Sequence, residues 1–157
     1  MDGVLTDATV LVLPDGVWAR RMHVRDGYAL QLAVKKGYNV IVISGSNSPE
    51  VKDRLHKLGI NNVYMRITDK QTVLQDYLTK NNINKEQVLV MGDDIPDIHI
   101  LQMAGFACCP NDSVQEIKEI AHYISHVKGG EGCVRDVIEK TLKLQNKWND
   151  DTSVASK

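Results

Sequence analysis

Short β-rich runs alternate with helical patterns along most of this 157-residue chain. Five apolar and β-branched runs predict strands, at Val10–Leu13, Tyr38–Ile43, Val63–Met65, Val88–Met91 and Phe106–Cys109. Six segments with helical spacing of apolar residues predict helices, at Asp26–Lys36, Ser48–Leu58, Lys70–Asn81, Pro96–Ala104, Ser113–His122 and Val134–Gln145. Strand–helix–strand repetition places successive strands side by side in parallel. The alternation therefore predicts a single α/β domain, a doubly wound parallel sheet with helices on both faces.

Local signals support several of these boundaries. Asp26 is expected to cap the first helix, and Gly37 to end it. Pro49 suits the first turn of the second helix, and Gly59 follows its end. The predicted helices therefore have their own start and stop residues.

Residues 10–24 depart from the alternation. Two β-rich stretches flank the turn Pro14-Asp15-Gly16, which predicts a protruding β-hairpin. Such a hairpin would expose apolar side chains, and exposed apolar surface commonly forms protein contacts. The alternative is that Val12 and Trp18 fold back into the core. Residues 146–157 lack periodicity, so we expect a domain over 1–145 and a flexible C-terminal tail.

Composition excludes several classes of protein. Lys and Arg number 19 and Asp and Glu number 20, a net charge of −1, whereas a dedicated nucleic-acid binder shows a basic surplus. No apolar run approaches the roughly 20 residues of a membrane span. Three cysteines without C-x-x-C spacing suggest neither a disulfide framework nor a zinc site. We therefore expect a cytoplasmic protein that binds neither nucleic acid nor membrane.

Three polar segments at strand ends have two interpretations each. Asp2-Gly3 is either a simple turn or a carboxylate placed at the sheet edge where α/β proteins bind ligands. Ser44-Gly45 is either a flexible turn before a capped helix or a phosphate site made of a hydroxyl and backbone amides. Lys70 opens a helix, where a cation opposes the dipole, yet an isolated lysine is usually a surface residue.

The fourth segment is the most specific. Gly92-Asp93-Asp94-Ile95-Pro96-Asp97 places three carboxylates in one strand-to-helix turn. Helix capping explains one or two of them, but not all three. Like charges this close favour a bound cation, and hard oxygen ligands suit Mg²⁺.

The order acid, hydroxyl, lysine and acid cluster resembles the haloacid dehalogenase superfamily over nearly the whole chain. Within it, the sequence is similar to the cap-less 3-deoxy-D-manno-octulosonate 8-phosphate phosphatase family. Four blocks carry this resemblance: Asp2-Gly3-Val4-Leu5-Thr6-Asp7, Val24-Arg25-Asp26-Gly27-Tyr28, Gly92-Asp93-Asp94 and Gly129-Gly130-Glu131-Gly132-Cys133-Val134-Arg135.

The resemblance implies a role for each polar segment. Asp2 would protonate the leaving alkoxide and then deprotonate the hydrolytic water. The Asp2 backbone carbonyl and Asp93 would hold Mg²⁺, and Lys70 would neutralise charge on the nucleophile and the phosphoryl group. Ser44 and the Gly45 amide would hold phosphate oxygens. Further residues are expected to support the metal and Lys70 (Asp94, Asp97) or to bind substrate (His23, Arg25, Asp26, Gly27, Gln31, Ser46, Arg54).

The family nucleophile, an aspartate two residues before Asp2, would lie just upstream of Met1, and we expect the first central strand to be missing from the chain with it. The implied substrate is a phosphorylated sugar acid, and the implied assembly is a homotetramer formed through the hairpin. Relatives often carry Arg at the positions of Gln31, Ser46 and Glu131, so a nine-carbon sugar acid stays an alternative. A catalytically silent oligomerisation module, like that of sialic-acid cytidylyltransferases, is the second alternative. A receiver-like phosphoacceptor fits the hairpin and the late glycine block poorly.

Overall fold

The computed structural model describes residues 1–149 and 151–154. Its strands are β1 (Leu11–Val12), β2 (Trp18–Ala19), β3 (Ile41–Ile43), β4 (Asn62–Tyr64), β5 (Leu89–Met91), β6 (Phe106–Cys109) and β7 (Tyr123–Ile124). Its helices are α1 (Val24–Lys35), α2 (Pro49–Lys57), α3 (Lys70–Lys80), α4 (Ile98–Met103), α5 (Gln115–Ile120) and α6 (Cys133–Leu144). Short 3₁₀ turns at Lys85–Gln87 and Ile95–Asp97 precede β5 and α4.

The five strands that follow the hairpin, β3 to β7, form only parallel pairs, as the alternation predicts. β3 pairs with β4, and β5 pairs with β6, which pairs with β7. They form two hydrogen-bonded sheets rather than one, because no strand of the described chain joins β3 to β5. Residues 2–5, ahead of the hairpin, form turns and not a strand.

Two helical layers enclose these sheets. On one side α1, α2 and α6 supply a core that contains Leu30, Leu55 and Val134. On the other side α3 and α4 pack with side chains from both sheets, among them Ile41 and Ile43 of β3 and Val90 of β5. The two sheets therefore share one core although they exchange no backbone hydrogen bonds. The helices and parallel strands form the α/β fold that the resemblance implies, and residues 1–149 and 151–154 contain no cap domain.

The predicted hairpin contains two antiparallel strands, β1 and β2, in which Leu11 faces Ala19 and Val12 faces Trp18. The side chains of Leu11, Val12 and Trp18 are 65%, 61% and 56% exposed. The alternative that Val12 and Trp18 fold back into the core is therefore wrong, and the hairpin presents an apolar surface.

Three sequence expectations need correction. α1 starts at Val24 with His23 as its N-cap residue, so Asp26 lies in the first turn and does not cap its own helix. The predicted helix over 96–104 begins with a 3₁₀ turn, and the one over 113–122 spans only Gln115–Ile120. β7 was not expected from the sequence, because two residues are too few to show a period.

The C-terminal tail packs on α1 where the structure describes it. Lys35 forms an ion pair of 2.7 Å with Asp151, and the Trp148 ring lies edge-on to Tyr28 with 6.2 Å between centroids. The Arg135 guanidinium lies 5.6 Å from the Tyr28 ring centroid and 5.5 Å from that of Trp148. Residues 146–149 and 151–154 include these contacts with α1, the flexibility of the tail stays a prediction, and residues 150 and 155–157 lie outside the described chain.

The three cysteines are unpaired and buried. Burial raises the pKa of the Cys108 and Cys133 thiols to about 12, which makes them packing residues and poor nucleophiles. None of the helices formed by residues 1–149 and 151–154 is both long and apolar enough to cross a membrane.

Candidate active site

Four predicted site residues meet around the backbone nitrogen of Met1. The charges of Asp97, Lys70, Asp93 and Asp2 all act at this position. Three segments thus bring their polar side chains to one place: the turn after β5, the turn before the hairpin and the start of α3.

Glycines let the opening loop enter this site. Gly3 has a φ of 78°, and a Cβ there would lie 1.8 Å from the Asp93 Oδ2. A Cβ on Gly129 would lie 2.0 Å from the Gly3 carbonyl oxygen. The Gly130 amide donates to the Val4 carbonyl at 3.0 Å. The late glycine block therefore fixes the loop that carries Asp2.

Asp2 is held by an arginine from the hairpin. Arg20 Nε donates to Asp2 Oδ1 at 2.8 Å and Arg20 Nη2 to Oδ2 at 3.2 Å, while Thr6 Oγ1 donates to Oδ1 at 3.3 Å. Burial would raise the pKa of Asp2, but the hydrogen bonds and charge of Arg20, with a smaller effect of Ser46, outweigh burial and lower the pKa. In this geometry Arg20 orients the Asp2 carboxylate and favours its ionised form.

The loop after β3 presents two hydroxyl groups. Ser44 is 3% exposed, its amide donates to the Tyr64 carbonyl at 2.9 Å, and its Oγ lies 3.0 Å from that of Ser46. Gly45 lies between them, and α2 begins four residues after it. Since Ser46 also acts on Asp2, this loop borders the carboxylate.

Lys70 is not a surface lysine. Its Nζ lies 2.5 Å from Asp97 Oδ1, and the two side chains are 14% and 9% exposed. Asp69 caps α3 by accepting from the Thr72 amide at 3.0 Å, so an acid offsets the unfavourable position of the lysine at the helix start.

The three acids of the 93–97 turn have different surroundings. Asp97 pairs with Lys70, and the exposed Asp94 accepts from the Ile95 amide at 2.8 Å. Asp93 has no such cation, and burial, followed by the charge of Asp97, raises its pKa to about 6. The unfavourable charge of this turn is therefore concentrated on Asp93.

The residues expected to bind substrate lie in several places. His23 and Arg25 line a cavity of about 320 Å³ together with Arg135. Arg54 lines another cavity, of about 380 Å³, between the hairpin and α2. Ser46 borders Asp2, and Gln31 Nε2 donates to a backbone carbonyl of α1 at 3.3 Å.

Two of the residues expected to bind substrate are buried. Asp26 is 2% exposed and Gly27 is buried, so neither presents a surface to a substrate in this structure, and their role in substrate binding stays a prediction. Asp26 Oδ1 accepts from the Arg135 amide at 2.7 Å. Because the N-cap of α6 is Gly132, Asp26 supplies the cap that α6 lacks.

Comparisons with known proteins agree with this geometry. Residues 63–137 match the model of the haloacid dehalogenase-like hydrolases. The 3-deoxy-D-manno-octulosonate 8-phosphate phosphatase of Salmonella typhi is 31% identical over 150 residues, which are 96% of this chain and 80% of that protein. The chain belongs to the family of these phosphatases.

Solved structures of two family members have the same fold. The phosphatase from Yersinia pestis superposes with a TM-score of 0.91 at 30% identity, over 93% of this chain and 79% of its own. The phosphatase from Moraxella catarrhalis, in complex with magnesium ion, phosphate ion and a KDO molecule, gives a TM-score of 0.89 at 32% identity, over 92% of this chain and 83% of its own. The chain therefore belongs to a family of phosphoric monoester hydrolases, and one solved member of this family is in complex with a magnesium ion.

The residues present fit Mg²⁺. The described residues contain no group of three or more His, Cys, Asp or Glu side chains placed to hold a metal. Mg²⁺ keeps several waters and needs only one or two carboxylates, so Asp93 with the Asp2 backbone carbonyl suffices on this chain's side. The raised pKa of Asp93 supports this assignment, because a cation would offset both the burial and the charge of Asp97 that raise it.

The phosphatase site contains one residue that sequence reasoning missed. Arg20 contacts Asp2 across 18 positions, and only the path of the hairpin brings them together. The available signal was an Arg20-Arg21 pair at the end of a predicted apolar strand. The late glycine block was found, but its contact with the opening loop was not.

Proposed function

We propose that this chain hydrolyses the phosphate ester of a sugar acid, and that 3-deoxy-D-manno-octulosonate 8-phosphate is its substrate. The observation that carries the proposal is the pairing of charges around Met1: Lys70 neutralises Asp97 and Arg20 holds Asp2, while Asp93 keeps an unfavourable charge. A silent oligomerisation module has no need of a half-buried carboxylate with an unfavourable charge. The relatives' activity and the KDO molecule bound to one of them support the choice of sugar.

In the proposed reaction an aspartate two residues before Asp2 attacks phosphorus, and the bond from phosphorus to the sugar oxygen breaks. In its protonated form Asp2 gives a proton to that oxygen; the carboxylate left behind then takes a proton from the water that hydrolyses the aspartyl-phosphate, which restores the protonated form. Ser44 and the Gly45 amide hold phosphoryl oxygens, and Lys70 offsets their charge. Mg²⁺, when bound, reduces the repulsion between the anionic nucleophile and the anionic phosphoryl group.

We further propose a homotetramer that assembles through the hairpin, and a cytoplasmic location. The exposed Leu11, Val12 and Trp18 favour the first, because apolar patches of this kind usually meet a partner. The unpaired cysteines favour the second.

The test is phosphate release with and without Mg²⁺ from octulosonate 8-phosphate and from a nine-carbon sugar-acid phosphate. It uses the chain extended upstream by its natural codons, since the proposed nucleophile precedes Met1. We expect Mg²⁺-dependent release that is faster with the eight-carbon substrate. Faster release from the nine-carbon substrate would change the assigned sugar, and no release from either by folded, Mg²⁺-binding protein would favour the oligomerisation module.

A further inference from the structure

Arg20, which follows β2, connects the hairpin to the active site. It donates to both Asp2 oxygens, and its Nη1 donates to the Trp18 carbonyl at 3.0 Å. The Arg20 side chain is 3% exposed, whereas that of Asp2 is 31% exposed. The guanidinium is thus the fixed member of the pair, and the carboxylate is the accessible one.

We propose that Arg20 is a positioning residue for Asp2, and that its guanidinium sets the direction in which the Asp2 carboxylate meets the leaving group. This inference rests on the proposed function, because it takes Asp2 as the group that exchanges a proton with that oxygen.

Two hydrogen bonds from one guanidinium fix the orientation of a carboxylate, which a single hydrogen bond does not. An aspartate side chain rotates about two bonds, and the contact from Thr6, at 3.3 Å, restrains only Oδ1. The planar fork of an arginine bonds both oxygens in one plane and so removes both rotations. Each carboxylate oxygen accepts about two hydrogen bonds, so Arg20 leaves an acceptor position on Oδ2 for another partner.

The same side chain also borders a cavity in which a leaving group could lie. Arg20, Trp18, Ser48 and Arg54 are among the residues that line the space of about 380 Å³ between the hairpin and α2. Cavities that bind small molecules begin at roughly 300 Å³, so this one has room for a sugar acid. A sugar in this cavity would lie next to Arg20, the residue that orients Asp2.

The test compares two substrates that differ in their need for a proton donor. Octulosonate 8-phosphate releases an alkoxide and needs protonation, whereas p-nitrophenyl phosphate releases a phenolate that is stable as an anion. kcat/KM is measured for both with the upstream-extended chain and its Arg20→Met and Arg20→Lys variants. Arg21→Met is the matched control, because Arg21 is 77% exposed and pairs with Asp7 instead.

We expect Arg20→Met to lower kcat/KM for the alkyl ester by about 100-fold, the scale of proton-transfer catalysis, and that for p-nitrophenyl phosphate by less than about threefold. Arg20→Lys keeps the positive charge but cannot form the two parallel hydrogen bonds. It should show the same selective loss of kcat/KM for the alkyl ester, but a smaller one. If Arg20→Met does not fold, Arg20→Lys provides the test. Equal losses on both substrates, or none, would overturn the inference while the proposed function stands. An inactive parent chain would overturn both.

Discussion

At the scale of single residues, the electrostatics of Asp93 make it the acid that most needs a cation. Its pKa is raised to about 6 by burial and by the neighbouring Asp97, while Asp97 and Asp2 each have a basic partner. A ligand at one hundred times its Kd stabilises the folded state by about 2.7 kcal/mol. Mg²⁺ in excess should therefore raise the melting temperature of the protein.

Asp93→Asn should abolish this Mg²⁺-dependent shift, because an amide cannot replace the charge. Asp94→Asn should retain most of it, since Asp94 is exposed and bonds the Ile95 amide. Calorimetry or differential scanning fluorimetry with Mg²⁺ and with EDTA checks both variants. A full shift in Asp93→Asn would place the metal elsewhere.

A second acid, Asp26, links pH to stability. Burial raises its pKa above the ordinary 3.8, although the hydrogen bond from the Arg135 amide opposes the shift. At pH values between the ordinary pKa and the raised one, the folded protein therefore keeps a proton that the unfolded chain has lost. The contribution of Asp26 to the free energy of unfolding falls as pH rises through this range.

Asp26→Asn should flatten this dependence, because the amide is neutral at every pH and still offers an oxygen to the Arg135 amide. Urea unfolding at several pH values between 4 and 7.5 measures the change, with the exposed Asp76→Asn as the control. Parallel curves for the Asp26 variant and the parent chain would contradict the prediction.

At the scale of elements, the late glycine block and the opening loop act as one unit. A Cβ on Gly129 would lie 2.0 Å from the Gly3 oxygen and 2.7 Å from the Gly3 carbonyl carbon, and backbone atoms cannot give way. Gly129→Ala should thus cost about 1–3 kcal/mol of stability, the usual range for overpacking, and should displace Asp2.

Gly37→Ala is the matched control, because the space around that glycine is open within 4 Å. This variant should lose stability only because alanine is strained at a φ of 85°, and its kcat should be unchanged. Urea unfolding and steady-state kinetics distinguish the two variants. A Gly129→Ala protein with unchanged kcat would show that the loop does not depend on this contact.

The elements themselves were largely predictable, and their contacts were not. Each of the six helices has a spacing of apolar residues that is visible within its own segment, so local sequence sufficed. The bond from the Arg135 amide to Asp26 spans 109 positions and depends on how α1 lies on α6. The pair of Arg20 with Asp2 depends likewise on the direction of the hairpin, which no local pattern encodes.

At the scale of the whole molecule, the hairpin presents apolar side chains outside the core. Leu11 is 65% exposed, and an assembly through this surface would bury it. Leu11→Glu should dissociate the proposed tetramer, because a buried, unpaired charge costs several kcal/mol.

Light scattering after size-exclusion chromatography gives the mass of each variant. Leu144→Glu changes an 86% exposed leucine of α6 in the same way and should leave the assembly intact. Dissociation by Leu144→Glu and not by Leu11→Glu would place the interface at α6 instead of the hairpin.

The two tryptophans of the chain lie in different settings, and this gives the protein two built-in fluorophores. Trp18 is 56% exposed on the hairpin, so its emission should shift to shorter wavelength when subunits associate. Trp148 lies against Tyr28 and the Arg135 guanidinium, so its emission should shift to longer wavelength when the C-terminal segment leaves α1. Replacing one indole with phenylalanine leaves the other as a single optical probe, so that assembly and tail release can be followed separately without an added label.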